Sequence, residues 1–371
     1  MRFHSIVRSG RWTNVLASII RSYEHWRLGL TRDVKSVADQ DLSGISETLA
    51  DRYRTGVGGR THWLTYHLNK GNVTEFGEAL VCALACCEYR LPGLGERLVD
   101  ELIDTGYTPT AQDPVAWRAG FQQLLQKFAE ILVLRVLLEA PWPAGAQFQH
   151  EPANPTTGRR PELAVELEER VYLFEVKCPS LVDHQAARGA NPRQIPARSE
   201  LGDTLRANPD PNEPVTWPRD NVLKDFLESA DDKFSGFSAK ETIGVLVVFW
   251  DAYVYEPISA LNYPQSGLLT EHSFYQVNGA RVPFDSVDGV IIMNHLAVLH
   301  AGAQEQGHAH RPGYFRLDHV DGGLPNVWCQ NIGGKQLDAF LMEALDAIPV
   351  EDAEQVEYKP HEFIMWNNRP D

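Results

Sequence analysis

At 371 residues the chain is long enough for more than one packed unit, and its 43% hydrophobic and 23% charged content is that of a globular protein. A formal charge of −16 argues against a protein that grips nucleic acid over its whole surface, because phosphate contact rests on lysine and arginine. No stretch reaches the roughly 18 apolar residues that would span a bilayer.

The acidity is uneven. Residues 251–371 carry 6 basic against 17 acidic side chains, while residues 111–250 carry 15 against 20. Any phosphate-binding surface is therefore expected upstream of residue 251, and the acidic last third is a candidate protein-interaction unit. Arginines interrupt the first apolar segment, which lacks a signal-peptide h-region. The five cysteines include no CxxC pair, and the buried-thiol reading of Cys82, Cys86 and Cys87 fits a cytoplasmic protein with no membrane partner.

In chain order, the first hundred residues read as helical. Apolar spacing predicts helices over Asn14–Trp26, Thr74–Arg90 and Leu94–Thr105. The glycines between Thr55 and Arg60 lack the Lys-Ser/Thr of a phosphate-binding loop and read as a connection. The strongest helical signal is Pro114–Glu139. A short strand is expected at Gln147–His150, and Glu162–Glu168 alternates with the period of a strand. A tight turn at Glu169-Arg170 leads to a second, more hydrophobic strand, Val171–Lys177.

Residues 185–218 read as a long excursion rich in Pro, Arg, Asn and Asp. A helix over Asp220–Phe234, strands at Thr242–Trp250 and Val287–Met293, and a helix over Lys335–Ala347 complete the pattern. The division expected is a helical region 1–110, a core 111–250 and an acidic α+β extension 251–371.

The chemistry concentrates in the middle third. Twelve residues separate Glu162 from Glu175, which fits a hairpin with arms of about six residues. Such a hairpin brings the start of one strand beside the end of the next. Period-two alternation then puts Glu175 and Lys177 on one face. Two carboxylates and an ammonium suit a hard cation such as Mg²⁺ (or Mn²⁺), with the lysine able to orient an attacking water or take its proton. A shifted register would bring Glu166 or Glu168 to the same place instead.

The string Arg160-Pro161-Glu162 … Phe174-Glu175-Val176-Lys177 resembles the PD-(D/E)xK nuclease superfamily over about residues 117–250. The resemblance implies an α/β, restriction-endonuclease-like mixed sheet flanked by helices, and a Mg²⁺-dependent endonuclease acting on DNA, as a restriction or phage-defence effector and in many members as a homodimer. It assigns metal-ligand roles to Glu162, Glu175 and the Val176 carbonyl, and water positioning to Lys177. It adds Glu130 on the preceding helix and Lys233 on the following one. Arg159, Arg160, Arg188, Arg193, Arg198 and Arg206 are candidates for phosphate contact. Where the family usually has Asp, this chain has Glu162, whose extra methylene lengthens its reach by about 1.5 Å. The alternative is a nuclease-like fold that binds protein or nucleic acid without cutting. A metal role for His308-Ala309-His310, with His300, His319 and Cys329 nearby, is the weaker reading, because zinc sites bring thiolates or a recognisable spacing.

Overall fold

The structure is a computed structural model that describes residues 41–106, 114–181, 184, 193–194, 215–216, 218–237, 240–251, 255–304, 313–317 and 325–353. The expected helix Asn14–Trp26, the side chains of Arg188, Arg193, Arg198 and Arg206, and His308, His310 and His319 lie outside the described residues. Residues 41–371 cluster as one compact unit. Among the described residues no helix is long and apolar enough to cross a membrane.

The helices are α1 (Ser43–Val57), α2 (Glu75–Arg90), α3 (Leu94–Thr105), α4 (Pro114–Glu139), α5 (Val222–Phe234), α6 (Tyr255–Asn262), α7 (Leu296–Ala303), α8 (Ala339–Ala344) and α9 (Val350–Ala353). The strands are β1 (Gln147–His150), β2 (Leu163–Glu166), β3 (Arg170–Lys177), β4 (Arg193–Gln194), β5 (Val215–Thr216), β6 (Glu241–Phe249), β7 (Gln276–Val277), β8 (Ala280–Arg281), β9 (Gly289–Met293), β10 (Asn326–Gln330) and β11 (Ala347–Pro349). The fold is α/β. Seven strands form one mixed sheet in the order β1-β2-β3-β6-β9-β10-β11.

β1, β2 and β3 are an antiparallel meander, and β3, β6 and β9 run parallel. A parallel strand is covered on both faces, so its sequence is apolar nearly throughout. β6 reads Glu241-Thr-Ile-Gly-Val-Leu-Val-Val-Phe249 and is fully buried from Val245 to Phe249. Past residue 250 the same sheet continues through β9, β10 and β11.

α2 starts where Thr74 accepts a hydrogen bond from the Gly77 N–H at 3.1 Å, the N-cap its sequence calls for. α4 is apolar on most sides and is accordingly buried, with Phe128, Ala129, Ile131 and Leu132 fully enclosed. After α4, Trp142 packs on Tyr172, Phe174 and Phe340, with ring centroids 5.2, 6.5 and 5.2 Å away. That face of β3 carries its even-numbered side chains. The odd-numbered face meets α5 on the other side. There Gly244, in register with Leu173, lets Phe234 and the Ser286 carbonyl approach, since a Cβ would stand 2.7 and 2.0 Å from them.

The helix expected over Lys335–Ala347 is a correction: only Ala339–Ala344 is helical. Tertiary partners hold the flanks extended. The Lys335 N–H donates to Asp288 at 2.7 Å, the Asp338 carboxylate accepts the Tyr172 hydroxyl, and Ala347–Pro349 pairs in parallel with β10. The turn before β3 also moves by one residue, because Arg170 already belongs to the strand.

Candidate active site

The β2–β3 register sets Leu163 opposite Phe174, so the next pair outward is Glu162 and Glu175. The Glu162 N–H donates to the Phe174 carbonyl at 2.9 Å, one residue short of Glu175, and so holds the start of β2 against the end of β3. Glu166 lies at the far end of β2 with Lys240 Nζ 3.2 Å away, and Glu168 is exposed. The register therefore selects Glu162 over both alternatives.

Glu175 is fully buried. Its Oε1 meets Lys177 Nζ at 2.7 Å and Lys233 Nζ at 2.5 Å, while its Oε2 is buried without a hydrogen-bond partner among the described residues. Lys177 comes from the same face of β3 two residues on. Lys233 comes from the last turn of α5. Val176 between them is buried and in register with Val247.

Glu130 on α4 is mostly buried, its carboxylate 2.6 Å from Lys127 Nζ, which also reaches Glu101 of α3 at 3.0 Å. Burial pushes the Glu130 carboxyl above its ordinary range, Lys127 opposes the shift, and Glu101 and Glu175 add to it. Glu162 is pushed up to about 8, by burial first and then by the charges of Glu130 and Glu175. Like charges at close range disfavour ionisation. The mutual repulsion marks Glu130, Glu162 and Glu175 as one electrostatic neighbourhood.

These residues fit a divalent cation. Carboxylates offer hard oxygen ligands, one buried oxygen of Glu175 has no hydrogen-bond partner among the described residues, and burial with the charges of Glu130 and Glu175 pushes the Glu162 carboxyl up, which a cation would relieve. Glu162 and Glu175 would hold the ion, with the Val176 carbonyl beside them.

The loop from β1 to β2 is pinned to the end of α5. Asn154, 2% exposed, accepts the Thr156 and Thr157 N–H groups and donates to the Asp232 and Lys233 carbonyls at 3.3 and 2.8 Å. Arg159 is exposed and ion-paired with Asp232 at 2.6 Å, and Arg160 is exposed beside buried Pro161. Asn154 thereby fixes both the approach to Glu162 and the end of the helix that bears Lys233.

The sequence reading did not single out Lys127, Asn154, His150, Glu151 or Arg97. His150, Glu151 and Glu162 offer ligand atoms that all lie within 4.8 Å of one another. Burial, then the Arg97 charge, lowers the His150 imidazole to about 4. Arg97 of α3 ion-pairs with Glu151. The strand ending at His150 and its pairing with the strand after Glu162 were the available signals. His300, the one described member of the downstream histidine group, packs its ring on Phe121 at 5.4 Å. Cys178 is buried on the α4 side, 4.0 Å from Gln122.

Compared with protein-family models, with curated proteins and with solved structures, the chain matches none.

Proposed function

We propose that this chain is a Mg²⁺-dependent endonuclease of the PD-(D/E)xK type with a restriction-endonuclease-like core, hydrolysing phosphodiester bonds of DNA. One observation carries the reading: Lys177 and Lys233 meet on one oxygen of Glu175, with Glu130 and Glu162 in the same charge neighbourhood. The succession α4, the β1–β2–β3 meander, α5 and parallel β6 supports the core assignment. Function here is argued from the site and not from the fold, which hosts many activities.

The residues divide the work. A divalent cation, when bound, supplies positive charge against the scissile phosphate and the negative charge that builds on it. Lys177 and Lys233 fix Oε1 of Glu175 and leave Oε2 for the ion. The Lys177 ammonium is also placed to orient the attacking water. Glu162 gives up its proton when it becomes a ligand. Arg160, exposed next to Pro161-Glu162, is suited to the phosphate backbone, whereas Arg159 is already engaged by Asp232. A restriction or phage-defence setting and cleavage by a homodimer follow family habit.

Plasmid and single-stranded DNA incubated with Mg²⁺ test the reading. Cleavage by the wild type that Lys177→Ala abolishes supports it, and equal activity of the two proteins removes Lys177 from catalysis. The double ion pair on Glu175 favours one alternative, a nuclease-like module whose lysines replace the cation and which binds without cutting. Calorimetry that finds no Mg²⁺ or Mn²⁺ binding dependent on Glu175 would select it.

A further inference from the structure

β1 supplies no side chain to the site proposed above, yet its end joins the same cluster. The β1–β2 register sets His150 opposite Leu163, and the Glu151 N–H donates to the Glu162 carbonyl at 3.1 Å. Three successive donors thus stand at one corner: an imidazole and two carboxylates, their ligand atoms all within 4.8 Å of one another. Ligand atoms bound to one cation at about 2.0–2.2 Å stand about 3–4.4 Å apart, so the three side chains need only draw in around an ion to close the set.

A second observation comes from the imidazole. Nδ1 of His150 is buried and has no hydrogen-bond partner among the described residues. Buried polar atoms are nearly always satisfied, and an exception calls for an unseen partner. The Arg97 guanidinium engages Oε2 of Glu151 beside this corner.

We propose that His150, Glu151 and Glu162 form a binding site for a second divalent cation of the borderline transition-metal class, with Mn²⁺ as its probe. The nitrogen ligand sets the class: imidazole suits transition metals, while Mg²⁺ takes oxygen. Glu162 is shared with the Glu175 site, and this sharing rests on the nuclease reading. The His150 site itself does not.

Mn²⁺ added to chelator-stripped protein, followed by electron paramagnetic resonance with electron spin-echo detection of ¹⁴N, tests the proposal without any activity readout. The wild type is expected to bind two Mn²⁺ per chain, one showing the modulation of a directly bound imidazole. In His150→Ala that modulation disappears and one ion binds at least tenfold more weakly. Glu151→Gln, which keeps the shape of the side chain, weakens the ¹⁴N-coupled ion about tenfold, and Glu175→Gln leaves its modulation in place. Thermal melting confirms that each variant is folded, and Glu151→Gln carries the test if His150→Ala is not. Absence of ¹⁴N modulation in the wild type, its persistence in folded His150→Ala, or unchanged affinity in Glu151→Gln overturns the site. Imidazole-bound Mn²⁺ without DNA cleavage upholds the site and sinks the nuclease reading. Mg²⁺-dependent cleavage without imidazole-bound Mn²⁺ does the reverse.

Discussion

Lys233 Nζ lies 2.5 Å from Oε1 of Glu175, the same oxygen that Lys177 meets at 2.7 Å, so one carboxylate oxygen serves two ammonium groups and the other serves none. The two lysines come from different elements, β3 and α5. Lys177 is expected to act on the reaction and Lys233 on the orientation of Glu175. Lys177→Ala should lower kcat by about 10²–10⁴-fold with DNA affinity retained. Lys233→Ala should chiefly weaken Mg²⁺ binding, read as a higher Mg²⁺ concentration for half-maximal cleavage. Equal effects on both readouts would remove the distinction.

The raised Glu162 carboxyl gives a pH dependence with a definite sign. Folded protein keeps the proton up to about 8, whereas the unfolded chain releases it near the ordinary glutamate value. Between those two points the folded state binds more protons, so stability falls as pH rises. Metal-free Glu162→Gln has no such group. Its stability should gain on the wild type between pH 5 and 8.5, by up to about 4 kcal/mol, read as a rise in melting temperature. Mg²⁺ affinity of the wild type should rise across the same interval, because binding expels the proton. Parallel melting curves for the two proteins would contradict this.

Asn154 joins the loop before Glu162 to the last turn of α5 through two accepted and two donated hydrogen bonds. Asn154→Ala leaves those backbone groups without their partner and should cost about 1–3 kcal/mol in chemical denaturation. Cleavage should fall as well, since Glu162 and Lys233 lose their common tether. A neutral result in both measurements would make the loop self-supporting.

Glu166 tests the strand register. It pairs with Lys240 at a partly exposed position away from the site, and surface ion pairs contribute about 0–1 kcal/mol. Glu166→Gln should leave cleavage and Mg²⁺ dependence within about twofold of wild type on that basis. A loss comparable to that of Glu162→Gln would place the ligand on the wrong glutamate.

The sequence by itself determined the local elements of the middle third: Leu94–Thr105, Pro114–Glu139 and Gln147–His150 fall on the residues their periodicity and breakers mark. It also placed the start of the strand at Leu163 beside the end of the strand at Phe174, because a hairpin of that length leaves little freedom of register. Tertiary structure decided what local pattern does not encode. Lys335–Asp338 looks helical but stays extended, since partners on Asp288 and Tyr172 outweigh its propensity. Glu130 is a site candidate by resemblance and a solvated helix position by pattern, and packing buries it beside Lys127. His150 is an unremarked strand end in one dimension and a neighbour of Glu162 in three, because an antiparallel sheet joins positions twelve residues apart that no sequence window compares.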